Sequence, residues 1–591
     1  MPTHNTHFLS RLPTITAVLV LLAWLLPASH AAAQLAPDPE VATGFEAKTL
    51  VTSRRHMVVS ANPYASDAGL EILRAGGSAV DAAVAVQMVL GLVEPQSSGI
   101  GGGAFLLAWD RNARRVTAYD GRETAPAGIR PDVFLQPDGK RRAFMDAVFS
   151  GESVGVPGAV AMLAMAHKAH GRLPWSRLFD PARKLATSGF IVSKRLNKSL
   201  QARGADSFAP EARAYLFGGD GRPVQPGDRL VNPAYAQTLA EIAEGGAEAF
   251  YRGRIAEAIV RAVHGAPTRG GSLSLADMRA YRAKARPPVC FPYRGYRVCG
   301  MGPPSSGALT AGMTMMLVDP FDLGRTPMNV EAVHLIAEAE KLAYADRNTW
   351  VADPDVVDVP RGLLDPGYLT ERRRLIGPLR VLQKALAGVP PGAKEHKAGR
   401  DATAERSGTS HVSIVDQWGN AAALTTSIES GFGSGLMAAG FLLNNQLTDF
   451  SFLPVDAEGR PIANAVAPGK RPRSSMSPTL IFSKDGAFVA ALGSPGGSRI
   501  PLFVVKSMVG LIDWKLDAQA AAGLANFGSR NGPLELEAGR IDERLAGGLS
   551  ALGHSLKLGP MPSGTHIIVR RHDGMLEGGA DPRREGVGRG D

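Results

Sequence analysis

The sequence contains little cysteine and few aromatic residues. Only two of its 591 residues are cysteine, and Phe, Trp and Tyr together make up 6%. Two cysteines without nearby histidines make a poor zinc site, and the 13 histidines do not cluster along the chain. The sequence therefore implies no metal and no other cofactor. With 45% apolar and 20% charged residues, the composition is that of an ordinary globular protein.

Signals for nucleic acid and nucleotide binding are also missing. The formal net charge is +10, but the surplus is spread along the chain, and no basic stripe is interleaved with aromatic residues. We therefore expect a solvated arginine-rich surface and no nucleic-acid partner. The glycine-rich stretch Ser97–Gly103 lacks the lysine and the Ser or Thr of a phosphate-binding loop, and an apolar strand follows it. Close backbone packing explains these glycines better than nucleotide binding does.

An apolar run lies near the N-terminus. Arg11 precedes the run Ala17–Leu26, and small residues follow it as far as Ala33. Spanning a bilayer takes about 20 apolar residues, so the pattern is typical of a signal peptide rather than of a membrane anchor. We expect residues 1–33 to be removed and the mature protein to be exported, to a bacterial periplasm or beyond, without a stable membrane anchor.

The two cysteines flank a predicted β-hairpin. Cys290 and Cys299 lie on either side of a turn at Arg294–Gly295, which places them opposite each other. In an oxidising compartment this arrangement fits a disulfide. The alternative is a pair of buried thiols.

Periodicity and turn signals predict alternating helices and strands in the first two-thirds of the chain. One helix is capped by Ser66 and ends at Gly76–Gly77, and a second runs from Ser78 to Val93, before an apolar strand. A further helix, amphipathic in pattern, is predicted at Asn329–Asn348.

The pattern changes near residue 386. Residues 386–408 are polar, carry Pro, Gly and alternating charges, and have no apolar period, so we expect them to be mobile and exposed to solvent. Order resumes at Thr409, where "TSHVSIVD" and "AAALTTSI" predict two strands joined by the turn "DQWGN". Gly440–Gln446 predicts another strand. The β-rich C-terminal third is typical of one half of a two-sheet α/β structure.

A strand that starts on a threonine after a glycine has a chemical interpretation. A threonine hydroxyl is a weak nucleophile that needs a base, and a free α-amino group, with an unperturbed pKa of about 7.7–8.0, is such a base. Cleavage of the Gly408–Thr409 bond by an N→O acyl shift supplies that amine, and Gly408 offers little steric hindrance. An uncleaved strand that happens to begin with threonine would show the same residues. The surrounding motifs must therefore decide between a cleavage site and an ordinary strand.

Those motifs carry a resemblance to the gamma-glutamyltransferase family, also called glutathione hydrolases. The similarity extends from about Met57 to Pro582. It rests on an ordered series of segments: "ANPYASDAGLEILRAGGSAVDAAVAVQ", "EPQSSGIGGGAFLL", "DGRETAP", "GPPSSG", "TSHVSIVDQWGNAAALTTSI", "LLNNQLTDFS", "RPRSSMSPT" and "GSPGGSRI". Members of the family are N-terminal-nucleophile hydrolases, made as a precursor that cleaves itself.

The resemblance implies an α/β fold of four αββα layers, built from two fragments of one precursor. Residues 34–408 form the large subunit and residues 409–591 the small catalytic subunit of a heterodimer. Thr409 is then the nucleophile, and Gly496 and Gly497 supply backbone N–H groups as an oxyanion hole. Ser427 occupies a position where the family often has threonine, whose hydroxyl orients the nucleophile.

The same resemblance assigns the substrate pocket. Arg122 holds the α-carboxylate of a γ-glutamyl group, and Ser474 and Ser475 assist through their hydroxyls. Gln446 and Asp449 receive the α-ammonium. The chemistry agrees, because a zwitterion needs a guanidinium for its carboxylate and acceptors for its ammonium.

Two features depart from the family pattern. Glu429 stands where asparagine is frequent; its negative charge either favours the substrate ammonium or reshapes the pocket for another acyl group. The loop between Asp449 and Ser474 is somewhat shorter than in bacterial relatives and lacks the tyrosine or tryptophan that closes over their pocket. This predicts a more open pocket wall.

The leading hypothesis is an exported enzyme that attacks the γ-carbonyl of glutathione or a related amide. An ester on Thr409 is then resolved by water or by the amino group of an amino acid or peptide. One alternative is a same-fold acylase, of glutaryl, cephalosporin or poly-γ-glutamate type. Another is an uncleaved periplasmic binding protein. His411 is given a structural role, because the free amine already provides the base.

Overall fold

A computed structural model describes residues 42–393, 398–403 and 408–591. The predicted signal peptide, residues 1–33, lies outside these ranges. Across the described ranges, no helix is both long enough and apolar enough to cross a membrane.

Two seven-stranded sheets form the centre of the molecule. The strands of the described residues are, in chain order, β1 (Val51–Ser53), β2 (Met57–Ser60), β3 (Gly103–Asp110), β4 (Arg115–Gly121), β5 (Phe190–Ile191), β6 (Arg229–Leu230), β7 (Lys284–Arg286), β8 (Val289–Tyr293), β9 (Tyr296–Gly300), β10 (Thr409–Val415), β11 (Ala421–Ser427), β12 (Met437–Ala438), β13 (Phe441–Leu442), β14 (Thr479–Phe482), β15 (Phe488–Gly493), β16 (Phe527–Gly528), β17 (Leu534–Glu537), β18 (Leu556–Gly559), β19 (His566–Arg570), β20 (Leu576–Ala580) and β21 (Val587–Gly590). The first sheet has the order β1-β20-β19-β15-β14-β9-β8 and the second β21-β2-β10-β11-β3-β4-β7. Neighbours in both are antiparallel.

Helices cover the outer face of each sheet. In chain order they are α1 (Pro63–Arg74), α2 (Ala79–Val93), α3 (Phe144–Val148), α4 (Ala159–His170), α5 (Asp180–Ser188), α6 (Lys194–Arg203), α7 (Pro210–Leu216), α8 (Pro233–Gly245), α9 (Glu248–Tyr251), α10 (Gly253–His264), α11 (Leu275–Ala280), α12 (Gly307–Val318), α13 (Val330–Trp350), α14 (Pro366–Arg373), α15 (Ile500–Ile512), α16 (Ala518–Gly523) and α17 (Glu543–Ala551). α1, α2 and α4 pack on the second sheet, and α12, α15 and α16 on the first. The predicted αββα sandwich is confirmed.

Strand β10 shows how the alternation of side chains builds the layers. Val412 and Ile414 are fully buried in the core beneath α1 and α2. The residues between them point to the opposite face, where the Ser413 hydroxyl donates to the carbonyl of His566 on β19, at 3.1 Å. His411 lies against Gly493 of β15, where an added Cβ would be 2.4 Å from its ring. One strand therefore contributes to both cores.

The first two helices begin at side-chain caps. Asn62 caps α1 by accepting from Tyr64 N–H at 3.1 Å, and Pro63 occupies the first helical position. The prediction of a Ser66 cap is wrong, because Ser66 lies inside the helix and its hydroxyl donates to the carbonyl of Val587. Helix α2 has nearly the predicted bounds, and Ser78 caps it in a reciprocal arrangement with the residue three positions later.

Helix α13 differs from the amphipathic helix predicted at Asn329–Asn348. It begins after Asn329, which accepts from Ala332 N–H at 2.8 Å, but it is buried on nearly all sides. Its charged residues are accommodated in pairs, as where Lys341 Nζ donates to Glu338 at 2.7 Å. Neighbouring elements cover the face that the sequence pattern assigned to solvent, so tertiary packing overrides the local signal.

The predicted cysteine hairpin is formed by β8 and β9. Arg294 and Gly295 both have positive φ, 48° and 82°, as a two-residue hairpin turn of type I′ requires. Cys290 lies opposite Cys299 in the register, and the two sulfurs are joined at 2.08 Å.

The segment before Thr409 is only partly as predicted. Leu386 is 80% exposed, but Asp401 is 2% exposed and pairs with Arg473 at 2.8 Å. The prediction of an exposed segment is therefore wrong at Asp401, because a distant arginine provides a buried partner. Residues 394–397 and 404–407 of the predicted mobile segment lie outside the described residues.

The strand predicted at Gly440–Gln446 is shorter than expected. Only Phe441 and Leu442 are in a strand, and the chain then turns into a single 3₁₀ turn at Gln446–Asp449. That turn brings two predicted site residues, Gln446 and Asp449, to the same end of the sheets as Thr409.

Candidate active site

Thr409 is the first residue of β10, at an end of the sheet where the chain enters from a non-repetitive segment. In the antiparallel register it lies opposite Ser427, the last residue of β11. Alternation along β10 places its side chain on the face that meets the other sheet. The residue is 3% exposed.

Ser427 connects the Thr409 hydroxyl to the preceding carbonyl. Thr409 Oγ1 donates to Ser427 Oγ at 3.4 Å, and Ser427 Oγ donates to the carbonyl oxygen of Gly408 at 2.8 Å. The backbone N–H of Glu429 donates to Ser427 Oγ at 2.8 Å and fixes that hydroxyl. A Cβ on residue 408 would lie 1.7 Å from the carbonyl oxygen of Glu429. Only glycine fits at this position.

A chain of polar side chains forms one wall of the pocket. Arg122 Nη2 donates to Asp449 Oδ2 at 2.5 Å, and the side-chain amide of Gln446 donates to the same oxygen at 2.9 Å. The Gln446 amide also donates to Glu429 Oε2 at 3.2 Å. Arg122 is completely buried and is held further by the carbonyl of Arg473 at 2.9 Å.

This wall has more acidic groups than basic ones, and burial affects the pKa of both kinds. Burial works against the charge on Arg122, but Asp449 and Glu123 outweigh it and keep the pKa of the guanidinium above its ordinary value. Burial raises the pKa of Glu123 to about 8, in spite of Arg122 at 3.6 Å. Glu123 is thus largely neutral at pH 7. Because the folded state holds this proton more tightly than the unfolded chain, Glu123 lowers stability progressively as the pH rises from the ordinary carboxyl range towards 8.

Glu429, the residue that departs from the family pattern, has an unusual backbone conformation. Its φ is +77°, in the left-handed region where asparagine is several-fold enriched among non-glycine residues. The residue is 5% exposed, and its carboxylate is held by Gln446. The structure therefore keeps glutamate in a conformation that suits asparagine better, and turns its negative charge towards the pocket.

The opposite wall combines two serines with a helix N-terminus. Ser474 and Ser475 are 3% and 4% exposed. Gly497 lies in a 3₁₀ turn that leads directly into α15, and the N-terminus of a helix favours negative charge. Gly496 has φ +141°, and a Cβ there would lie 2.6 Å from the ring of Phe503. Glycine is therefore required at position 496, and Gly497 has a positive φ of 56°.

These residues line one small cavity. The lining residues are Arg122, Thr409, Ser427, Glu429, Gln446, Asp449, Ser474, Ser475, Met476, Gly497 and Ile500. The structure thus brings together every pocket residue predicted from the sequence except Gly496, which lies beside Gly497. In the continuous chain the cavity has room for little more than one water molecule. The more open pocket wall predicted from the loop before Ser474 stays a prediction, because it concerns the pocket after cleavage.

The loop between Asp449 and Ser474 is anchored away from the cavity. The ring of Phe452 stacks on Phe134 with centroids 4.5 Å apart, and Phe450 is fully buried in the same small core. No residue from 450 to 473 lines the cavity. The aromatic residues of this loop therefore hold it in place and do not cover the pocket.

His411 does not reach Thr409. Its Nδ1 lies 2.8 Å from Thr425 Oγ1 and its Nε2 lies 3.1 Å from Ser413 Oγ. Burial, and then the neighbouring His566, lower its pKa well below the ordinary value, so the ring is neutral. These contacts fit the structural role predicted for it.

Two histidines that are far apart in sequence meet in space, a contact that the spacing of histidines along the chain does not indicate. His334 Nδ1 lies 2.8 Å from His554 Nε2, and Glu338 completes a buried group whose ligand atoms lie within 4.8 Å of one another. The Glu338 carboxylate, however, already accepts a hydrogen bond from the ammonium of Lys341. The geometry is that of an internal hydrogen-bonded cluster with its own cation.

Sequence reasoning missed several residues at the pocket. Met476 and Ile500 line the cavity, and Glu123 lies directly behind Arg122. Each lies within a quoted motif, one to three positions from a predicted site residue, so proximity in sequence was the available signal. Arg347 contacts Ser475 from helix α13, and no local pattern indicates a contact across that distance in the chain.

Comparisons with known proteins agree with this arrangement. The family model for gamma-glutamyltranspeptidase matches residues 65–590. The glutathione hydrolase proenzyme of Escherichia coli is 37% identical over 97% of this chain and 98% of its own length. The acylase ACY 1 proenzyme of a Pseudomonas strain is 35% identical over 93% and 96%.

A solved structure supports the same assignment. The cephalosporin acylase from Bacillus halodurans superposes with a TM-score of 0.79 at 28% identity, covering 92% of this chain and 97% of its own. The match of the family model across almost the entire described chain, together with these relatives, shows that this protein belongs to the gamma-glutamyltranspeptidase family.

Proposed function

We propose that this chain cleaves itself between Gly408 and Thr409 and then acts as a glutathione hydrolase and γ-glutamyltransferase. The observation that carries the proposal is the hydrogen-bonded path from the Thr409 hydroxyl through Ser427 to the carbonyl of Gly408. It lies beside a buried wall of one guanidinium and two carboxylates. That combination suits a nucleophilic attack on an acyl group that carries both an ammonium and a carboxylate.

Self-cleavage follows from the path of protons. As Thr409 Oγ1 bonds to the Gly408 carbonyl carbon, its proton passes to Ser427, and the Ser427 proton passes to the carbonyl oxygen. The C–N bond then breaks as the proton on the former carbonyl oxygen passes to the nitrogen of Thr409, which leaves an ester between Gly408 and the Thr409 oxygen. Water hydrolyses this ester, releasing the Gly408 carboxylate and a Thr409 residue with a free amine.

The free amine is the base of the mature site. Its unperturbed pKa of about 7.7–8.0 suits proton transfer near neutral pH. Thr409 Oγ1 attacks the γ-carbonyl, the amine takes the hydroxyl proton and passes it to the leaving amide nitrogen, and a γ-glutamyl ester forms. Water, or the amino group of an amino acid or peptide, attacks the ester and regenerates the hydroxyl. The negative oxygen of each tetrahedral intermediate is assigned to Gly496 and Gly497, at the N-terminus of α15.

The wall residues are assigned to the ends of the donor. Arg122, with Ser474 and Ser475, receives the α-carboxylate. Asp449 and Gln446 receive the α-ammonium, and Glu429 adds a second negative charge on the same side. The large subunit, residues 34–408, contributes Arg122, and the small subunit, residues 409–591, contributes the others, so the heterodimer is the active unit.

Export is part of the proposal. It is supported by the apolar run Ala17–Leu26 and the small residues that follow. A disulfide between Cys290 and Cys299 also suits an oxidising compartment such as the periplasm.

A denaturing gel and an assay test the function together. We expect the purified protein to give two chains, the smaller beginning Thr-Ser-His-Val-Ser, and to release glutamate from glutathione. A single intact chain with that activity would rule out the mechanism, and an intact chain that only binds the donor would indicate a binding protein.

A second candidate is an acylase for a side chain without the ammonium, such as a glutaryl group. The acylase relatives and the unusual Glu429 favour testing it. The two candidates differ in the ratio of kcat/KM for γ-glutamyl-p-nitroanilide and glutaryl-p-nitroanilide. A γ-glutamyltransferase prefers the first donor, and an acylase of this kind prefers the second.

The variant Glu429→Gln tests the role of the extra charge. We expect the preference for the γ-glutamyl over the glutaryl donor to fall about 10-fold, because a hydrogen bond to a charged group contributes about 1.5–3 kcal/mol. Glutamine keeps the size and an acceptor, and removes the charge. Michaelis–Menten measurements on both donors provide the readout. An unchanged ratio would show that Glu429 does not contact the ammonium.

A further inference from the structure

The two pocket serines are held by residues of the large subunit. Ser306 donates twice to the carbonyl of Ser474, from its backbone N–H at 2.7 Å and from its hydroxyl at 2.8 Å. Ser305 donates from its hydroxyl to the carbonyl of Met476 at 2.6 Å. The segment "GPPSSG", residues 302–307, thus holds the backbone of residues 474–476 by hydrogen bonds. We call residues 474–476 the serine segment and residues 302–307 its cradle.

Arg347 joins this cradle from helix α13. Its Nη2 donates to Ser475 Oγ at 2.6 Å, and its Nε donates to Ser306 Oγ at 3.0 Å. Its Nη1 donates to the side-chain oxygen of Asn348 at 2.7 Å. The residue is 2% exposed. A buried guanidinium is therefore directed at the hydroxyl of one pocket serine and at the hydroxyl that holds the other.

The direction of these bonds has a chemical consequence. A guanidinium can only donate, so the Ser475 oxygen accepts from Arg347 and its own proton must point elsewhere. A bond from a charged donor is also stronger than a neutral one, and it polarises the hydroxyl that accepts it. Both effects make Ser475 a better hydrogen-bond donor towards an anion on its other side.

We propose that Arg347 is a positioning residue for recognition of the donor's α-carboxylate. It acts through Ser475, as a second positive charge behind the hydroxyl, while Arg122 acts directly. This inference rests on the proposed function, because it takes Ser475 to contact that carboxylate. It predicts that Arg347 contributes to catalysis only for donors that carry a carboxylate.

Two donors separate this role from a purely structural one. γ-Glutamyl-p-nitroanilide carries the α-carboxylate, and 4-aminobutyryl-p-nitroanilide lacks it but keeps the amino group and the scissile amide. The ratio of their kcat/KM values measures carboxylate recognition. In Arg347→Met we expect this ratio to fall about 10-fold, through a higher KM for the γ-glutamyl donor, with the value for 4-aminobutyryl-p-nitroanilide changed less than about twofold. Arg347→Lys, which keeps a charged donor, should restore most of the ratio.

Arg372→Met is the matched control. Arg372 is 8% exposed and pairs with Asp346, the neighbour of Arg347, but it does not contact the serine segment. Its replacement removes a buried arginine of the same region and should leave the donor ratio unchanged. The two chains seen on a gel show that each variant has folded well enough to cleave itself.

The outcomes are distinct. If the wild-type enzyme does not distinguish the two donors, the proposed function is wrong. If it does, but Arg347→Met loses activity equally on both donors or keeps the wild-type ratio, Arg347 has only a structural role and the inference is overturned. Where Arg347→Met gives a single chain, Arg347→Lys is compared with and without Ser475→Ala. The inference then requires that the small fall in the ratio left in Arg347→Lys disappears when the Ser475 hydroxyl is absent.

Discussion

Replacing Thr409 by alanine is expected to leave the protein as one chain and to lower glutathione hydrolysis by at least about 10⁴-fold, since a catalytic nucleophile acts as one unit with its base. The variant removes the hydroxyl that attacks the Gly408 carbonyl and also prevents release of the amine. A denaturing gel and a glutamate-release assay measure the two effects separately.

Thr409→Ser is the control for this prediction. Serine keeps the hydroxyl opposite Ser427, so it should still cleave itself and retain activity, more slowly than threonine. The methyl group of threonine restricts the rotation that keeps the oxygen aimed at the carbonyl. A Thr409→Ala protein that splits between residues 408 and 409 would contradict the assignment of the nucleophile.

Replacing Arg122 by methionine is expected to reduce kcat/KM for the γ-glutamyl donor by about 10²–10³-fold. Removing one partner of a buried ion pair costs about 3–5 kcal/mol, because the other charge is left buried and unpaired. Here that charge is Asp449, which loses its short hydrogen bond from the guanidinium and keeps the one from the Gln446 amide. Methionine fills most of the space, so the change is mainly electrostatic.

The readout for Arg122 combines kinetics with donor choice. Steady-state rates on the γ-glutamyl donor give the total loss, and 4-aminobutyryl-p-nitroanilide shows how much of it depends on the carboxylate. Arg122→Lys keeps the charge but not the paired N–H geometry, and we expect an intermediate loss. If Arg122→Met lowers rates on both donors alike, Arg122 supports the pocket and does not bind the carboxylate.

Local signals in the sequence were sufficient for some elements and misleading for others. The cysteine hairpin and the start of β10 followed from turn residues and alternation. The cap of α1 was misplaced because Ser66 is a common cap residue, whereas the Asn62–Pro63 pair is the stronger signal. Helix α13 has the pattern of a surface helix but is buried, because its surroundings are supplied by parts of the chain that a local pattern does not contain.

The pocket itself could be assembled from the sequence only through the family resemblance. Its residues come from segments scattered between Arg122 and Ile500, and no periodicity relates them. The burial of Asp401 against Arg473 and the contact of Arg347 with Ser475 depend on distances between side chains far apart in the chain. Such contacts form only when the layers of the fold pack together, so no local sequence pattern predicts them.

The tight placement of Gly408 has a consequence for how the site opens. Its α-carbon lies against the backbone of Glu429, and its carbonyl, which is neutral while the chain is continuous, accepts from Ser427. The proposed cleavage would turn that carbonyl into a carboxylate in a region that already holds Glu429 and Asp449. Like charges in a partly buried region repel each other more strongly than in water. If the chain is cut at the proposed bond, this repulsion favours movement of the new chain end away from the pocket and opposes re-formation of the Gly408–Thr409 bond.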